Sequence, residues 1–231
     1  MPNLIFTTVG TSIFQSNEKH NVYQKKINIY EKEKLKPKDI FNHEGDKTII
    51  GFYDLVLKDV KTCYPNKIEK TSAEIQSLYQ MKKEGLIDPS QDKLVLLHSD
   101  TMAGKIAADI LYDFFQDKDN LYFSKIEKPV LMKNIRGDDA EKFTDGLHKF
   151  NYFILSNSHN QERNILINFT GGYKGMIPAI TMFYNELINN GNNATLCYLY
   201  EQTDKIISFK ISGGLLEVDE QNSTIDREIN G

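Results

Sequence analysis

Three short clusters in this 231-residue chain bring together residues whose types could do chemistry. The first is Thr7-Thr8-Val9-Gly10-Thr11-Ser12, the second His98-Ser99-Asp100-Thr101, and the third Asn168-Phe169-Thr170-Gly171-Gly172-Tyr173-Lys174-Gly175. Hydroxyls, glycines and one lysine are the components of an anion site. Glycines let a backbone come close to a ligand, and the N–H groups that open a following helix favour negative charge. Lys174 adds a point charge of the kind phosphate sites use. Each cluster also has a plainer reading. Gly10-Thr11-Ser12 suits a turn and a helix cap, and Asp100 suits a cap on the next helix. Gly171 and Gly172 suit a tight turn, and Lys174 a solvated first-turn lysine.

Other chemistries lack their residues. No second and third spaced glycine follow Gly10, so a dinucleotide fingerprint is absent. Neither G-x-x-x-x-G-K-[ST] nor G-x-S-x-G occurs, which counts against P-loop ATPases and α/β-hydrolases. His20, His43, His98, His148 and His159 have no metal-like spacing, and Cys63 and Cys197 form no CxxC. No metal and no cofactor is expected. A disulfide between the two cysteines stays open.

All three clusters follow the best strand patterns in the chain. Apolar, β-branched runs at residues 3–9, 93–98 and 164–169 predict buried strands. Helical spacing of Ile106, Ile110, Leu111 and Phe114 follows the second, and a helix from Met176 to Leu187 follows the third. Asp138 and Asp139 open a further helix through Leu147, Phe150 and Phe153. Residues 122–130 read as a strand interrupted by Pro129. After the Asn190-Gly191-Asn192-Asn193 turn come strands near 194–200 and 206–211, a C-terminal β-hairpin.

This alternation predicts a Rossmann-like α/β fold with a mostly parallel sheet and helices on both faces. A Lys- and Glu-rich helical insertion, residues 16–92, follows the first strand. It carries Tyr23, Ile27 and Tyr30, then Ile50, Tyr53, Leu57 and Val60, and a Thr71–Glu74 capping box. It reads as mostly surface, as a lid or as a dimer contact. One domain over 1–217 and a polar tail at 218–231 are expected. Ligands of such sheets bind at the carboxyl edge, where strand order reverses. The three clusters gather there.

With 28 basic and 32 acidic side chains the net charge is −4, and only Arg136, Arg163 and Arg227 are arginines. That balance excludes a general duplex-DNA binder, which relies on many phosphate-neutralising side chains. No stretch approaches ~18 consecutive apolar residues, the length of a membrane span. No signal peptide opens the chain, and a cytoplasmic location is expected.

In order and strand context the three clusters resemble the signatures of the CARF family, the CRISPR-associated Rossmann-fold domains of type III CRISPR systems, and most of all its stand-alone members. The resemblance implies a homodimer whose paired pockets bind a cyclic oligoadenylate, cyclic tetra-adenylate being the expected ring. It places Thr11 and Ser12 against ribose and phosphate, with Thr8 and Gly10 also in contact with ligand. His98, Ser99, Asp100 and Thr101 would contact ligand from the second loop, and Thr170, Gly171, Gly172, Tyr173 and Lys174 from the third.

Some relatives are ring nucleases, which cleave the messenger without metal and leave 2′,3′-cyclic phosphate ends. Resemblance gives Ser12 the orienting role and Lys174 the stabilisation of transition-state charge, with His98 a proton carrier. The R-x-x-x-x-H motif of the usual ribonuclease effector is absent: Glu141 stands at that spacing after Arg136, and Asn168 after Arg163. About 20 residues follow Ile211, too few for a helix-turn-helix. The expectation is therefore a ligand-consuming enzyme. A sensor module that controls an effector, and a Rossmann-like enzyme acting on another nucleotide, stay open as alternatives.

Overall fold

Six residues, Leu4–Val9, are all buried and form β1, the centre around which the sheet is built. The computed structural model describes residues 1–15, 25, 27, 47–135, 140–158, 164–172, 176–200, 205–212 and 215–218. Along them run a short 3-10 turn (Ser12–Phe14), α1 (Lys47–Cys63), α2 (Ala73–Lys83), β2 (Lys93–Ser99) and α3 (Met102–Gln116). Then follow β3 (Lys125–Ile126), β4 (Val130–Met132), α4 (Ala140–Asn157), β5 (Ile165–Asn168), α5 (Ile177–Asn189), β6 (Ala194–Tyr200), β7 (Lys205–Ser212) and β8 (Leu215–Val218).

The strand order is β3-β2-β1-β5-β6-β7-β8, with β4 also on β2. Strands β1 to β6 are parallel, while β7 and β8 turn back antiparallel. This is the expected α/β architecture with its C-terminal hairpin, extended by β8, which polarity had hidden. The edge run around Pro129 splits into β3 and β4, since proline cannot donate to the ladder.

Period-two alternation divides the core. Leu4, Phe6, Val95, Leu97, Ile165 and Ile167 face α4 and α5, whereas Ile5, Val9, Leu94, Leu96 and Leu166 face α1, α2 and α3. Here the insertion departs from its sequence reading. Phe52, Val56 and Val60 of α1 and Ile75, Leu78 and Met81 of α2 are all buried. These two helices are a structural layer. Exposed Asp54 and Lys58 on α1 and exposed Lys82 and Lys83 on α2 masked an apolar stripe at helical spacing. Tyr23 and Tyr30, like Asp138, Asp139 and the chain after Val218, lie outside the described residues. Both cysteines are free, and burial raises the Cys197 thiol to about 12, so it is inert at neutral pH.

Candidate functional site at the β1/β5 switch point

The chain runs from β1 outward to β2, then returns to place β5 on the other side of β1. That reversal makes the carboxyl ends of β1 and β5 the place where a ligand crevice forms. The two loops meet there backbone to backbone. A Cβ on Gly10 would stand 2.6 Å from the Gly172 nitrogen, and Gly172 itself has φ +96°, a conformation that suits glycine. Thr8 Oγ1 donates to the Gly171 carbonyl and ties the loops together.

A small crevice opens beside this contact. Thr8, His98, Ser99 and Gly172 line it, backed by Met132, Ile135, Phe150 and Met176. The first turn of α5, capped at Met176, starts at the same edge. The structure thus brings one or more residues from each of the three clusters into one crevice. Tyr173 and Lys174 lie outside the described residues. Among the described residues, no group of three or more His, Cys, Asp and Glu side chains stands together as a metal site.

The remaining predicted residues are held by the fold in specific ways. Thr101, not Asp100, caps α3: its hydroxyl accepts from the Gly104 N–H at 3.0 Å and shares a hydrogen with Ser99 Oγ at 2.9 Å. Asp100 instead accepts from the Asn134 N–H at 3.1 Å and fixes the turn after β4. Thr170 accepts from the Leu199 N–H and donates to Asn168 Oδ1, each at 2.8 Å, so it staples β5 to β6. Thr11 is half-buried and its hydroxyl caps nothing.

Ser12 points to Glu74, which the sequence reading took only for the acid of a capping box. Its hydroxyl donates to Glu74 Oε2 at 3.2 Å and accepts from the Ala73 N–H at 3.1 Å. Glu74 Oε1 accepts from the Gly10 N–H at 2.6 Å. The Thr71–Glu74 box does not form, because Ser72 is the cap of α2, with its hydroxyl accepting from the Ile75 N–H. Glu74 is freed from reaching back and lies, fully buried, against the loop after β1. One turn later Ser77 accepts from Asn168 Nδ2 at 2.8 Å. Glu74 and Ser77 share the buried stripe of α2 with Leu78 and Met81. Polar residues at i and i+3 on an apolar stripe are the signal that marks them.

His98 is buried at the end of β2, where its Nδ1–H donates to the Ser99 carbonyl at 2.9 Å. Burial pushes its pKa below the ordinary 6.5, and Lys105 adds to the effect, against the opposing pull of that hydrogen bond, Asp109 and Asp100. The imidazole is therefore neutral at pH 7, with Nε2 the basic nitrogen. A depressed folded pKa means that the unfolded chain binds the proton more readily. The stability due to neutral His98 is complete above pH 6.5 and is lost as pH falls through the folded value. Urea midpoints should fall across that acidic window, with His98 contributing a slope of at most about 1.4 kcal/mol per pH unit. His98→Gln should flatten that part of the profile; an unchanged profile would refute the assignment.

Residues 69–211 match the family model of CRISPR-associated protein (Cas_APE2256). The match takes in more than half of the chain, including α2 and the second and third clusters, and begins after the first cluster. No curated protein matches the chain significantly.

Proposed function

The chain belongs to the Cas_APE2256 family of CRISPR-associated proteins, and from that premise we propose that it is a CARF domain of type III CRISPR defence that binds a cyclic oligoadenylate and cleaves it. The observation that carries the reading is the switch point itself. Loops rich in hydroxyls and glycine follow β1, β2 and β5 and meet at one carboxyl edge, with the start of α5 beside them. A ring of phosphates and riboses asks for such N–H and O–H donors, and does not require arginine forks, which are scarce in a chain with three arginines.

The ring acts across a homodimer. Exposed Tyr152 and Ile177 belong to α4 and α5, the helices on the crevice side of the sheet, and supply apolar surface for pairing. In the cleavage step a ribose 2′-oxygen forms a bond to its own neighbouring phosphorus as the bond from phosphorus to the 5′-oxygen breaks. The proton leaves the 2′-hydroxyl, and the departing 5′-oxygen takes one up. The protein's part is to hold the ribose for in-line attack and to stabilise charge on phosphorus. Ser12 takes the first role and Lys174 the second.

One observation favours a sensor that leaves the ring intact. The hydroxyls of Thr101 and Thr170 are occupied by the fold's own hydrogen bonds, which suits a rigid receptor. Radiolabelled cyclic tri-, tetra- and hexa-adenylate incubated with the protein in EDTA separate the readings. Linear products with 2′,3′-cyclic phosphate ends are expected from the tetra-adenylate. Tight binding with the ring unchanged would establish the sensor, and neither binding nor cleavage would sink the ring reading altogether.

A further inference from the structure

A buried carboxylate whose hydrogen-bond partners are a backbone N–H and a serine hydroxyl fixes the direction of that hydroxyl. From the Glu74 contacts we infer that this residue is a positioning residue for Ser12, and that it leaves Ser12 only a hydrogen-bond acceptor to offer a ligand. This rests on the ring-cleaving reading.

The argument is an inventory of one oxygen. A serine hydroxyl has one hydrogen and two lone pairs. In Ser12 the hydrogen goes to Glu74 Oε2 and one lone pair takes the Ala73 N–H. One lone pair is left, on a half-buried side chain at the loop after β1. Such an atom accepts from a ribose 2′-hydroxyl and cannot donate to a phosphate oxygen. Ser12 therefore orients the attacking hydroxyl, and the developing negative charge falls to other groups. Glu74 is itself fixed at both oxygens, because Oε1 takes the Gly10 N–H. Gly171 has no side chain to crowd it: a Cβ there would stand 1.9 Å from Oε1. The carboxylate consequently registers both loops of the switch point against α2.

Glu74→Gln keeps the shape and places an amide donor where Oε2 stood, which forces the Ser12 hydrogen to turn outward. We expect the single-turnover rate on cyclic tetra-adenylate to fall tenfold or more while ring affinity stays within threefold. The Ser12→Ala/Glu74→Gln double variant should be no slower than Ser12→Ala, because Glu74 acts through Ser12. Ala73→Pro tests the same arrangement without touching the carboxylate. Ala73 is the first helical residue, and Ser72 before it is extended at ψ 159°, so proline is tolerated there. It removes the N–H that anchors Ser12 and should also lower the rate with binding kept. If the wild type cleaves and both variants match its rate, or if the double variant loses the product of the two single effects, the inference about Glu74 alone is overturned. A wild type that binds the ring without cleaving it overturns it too. A wild type that binds no ring removes the ring reading and this inference together.

Discussion

Gly171→Ala is expected to destabilise the protein by about 3 kcal/mol, the upper range for overpacking a tight site, and to abolish ring binding. The added Cβ would lie 1.9 Å from Glu74 Oε1, 2.5 Å from its Cδ and 2.8 Å from the Thr8 carbonyl oxygen. The carboxylate cannot simply swing aside, since it is buried and held by Gly10 and Ser12. The Thr8 carbonyl belongs to the backbone of β1 and moves still less readily. Gly85→Ala is the control. Gly85 has φ +74° but nothing within 4 Å of its Cβ position, so its cost is backbone strain alone, about 1 kcal/mol. Urea unfolding of both variants checks the contrast. Adding Glu74→Ala to Gly171→Ala should recover part of the loss, because one of the two obstacles is then gone. Equal costs at Gly171 and Gly85 would mean that the loops are not in contact as described.

Most of the sheet was legible because its central strands are buried on both faces. The runs at β1, β2 and β5 are continuous, apolar and rich in branched residues, which few other structures accommodate. Legibility stopped where meaning depends on a distant partner. Glu74 reads locally as the capping-box partner of Thr71, a role that accounts for its position without any third element. Only the return of the chain from α2 to the loop after β1 gives it Gly10 and Ser12, 64 and 62 residues away. The glycines show the same limit. Sequence marked Gly10, Gly171 and Gly172 as places where something comes close. The first things that come close are Glu74, Thr8 and each other. Strand β8 was hidden for a different reason: its Leu-Leu-Glu-Val is short, and the polar chain around it suppresses any periodic signal.

Substituting Asn168 by aspartate should strike the same switch point electrostatically, without changing its shape. Asn168 is completely buried at the end of β5, beside Thr7 in the register with β1. Its amide donates to Ser77 Oγ, and its oxygen accepts from the N–H and the hydroxyl of Thr170. Ser77 in turn donates to the Glu74 carbonyl, so its remaining role toward Asn168 is that of acceptor. An aspartate would set a second oxygen against that acceptor and add a charge one helical turn from the buried Glu74. Leaving a buried charged group short of donors costs about 3 kcal/mol. Burial raises the folded pKa of the new carboxyl above its unfolded value of about 3.9. Between the two values the folded chain keeps a proton that the unfolded chain has released, so stability falls as pH rises through that window. The difference in urea midpoint between Asn168→Asp and wild type should therefore be small near pH 4 and grow toward neutrality. Wild type as reference cancels the opposite contribution of His98. A gap of constant size at every pH would mean that the aspartate had found donors or water. The network from α2 through Ser77 and Asn168 to β6 would then not be the closed, dry connection that holds the two halves of the site in register.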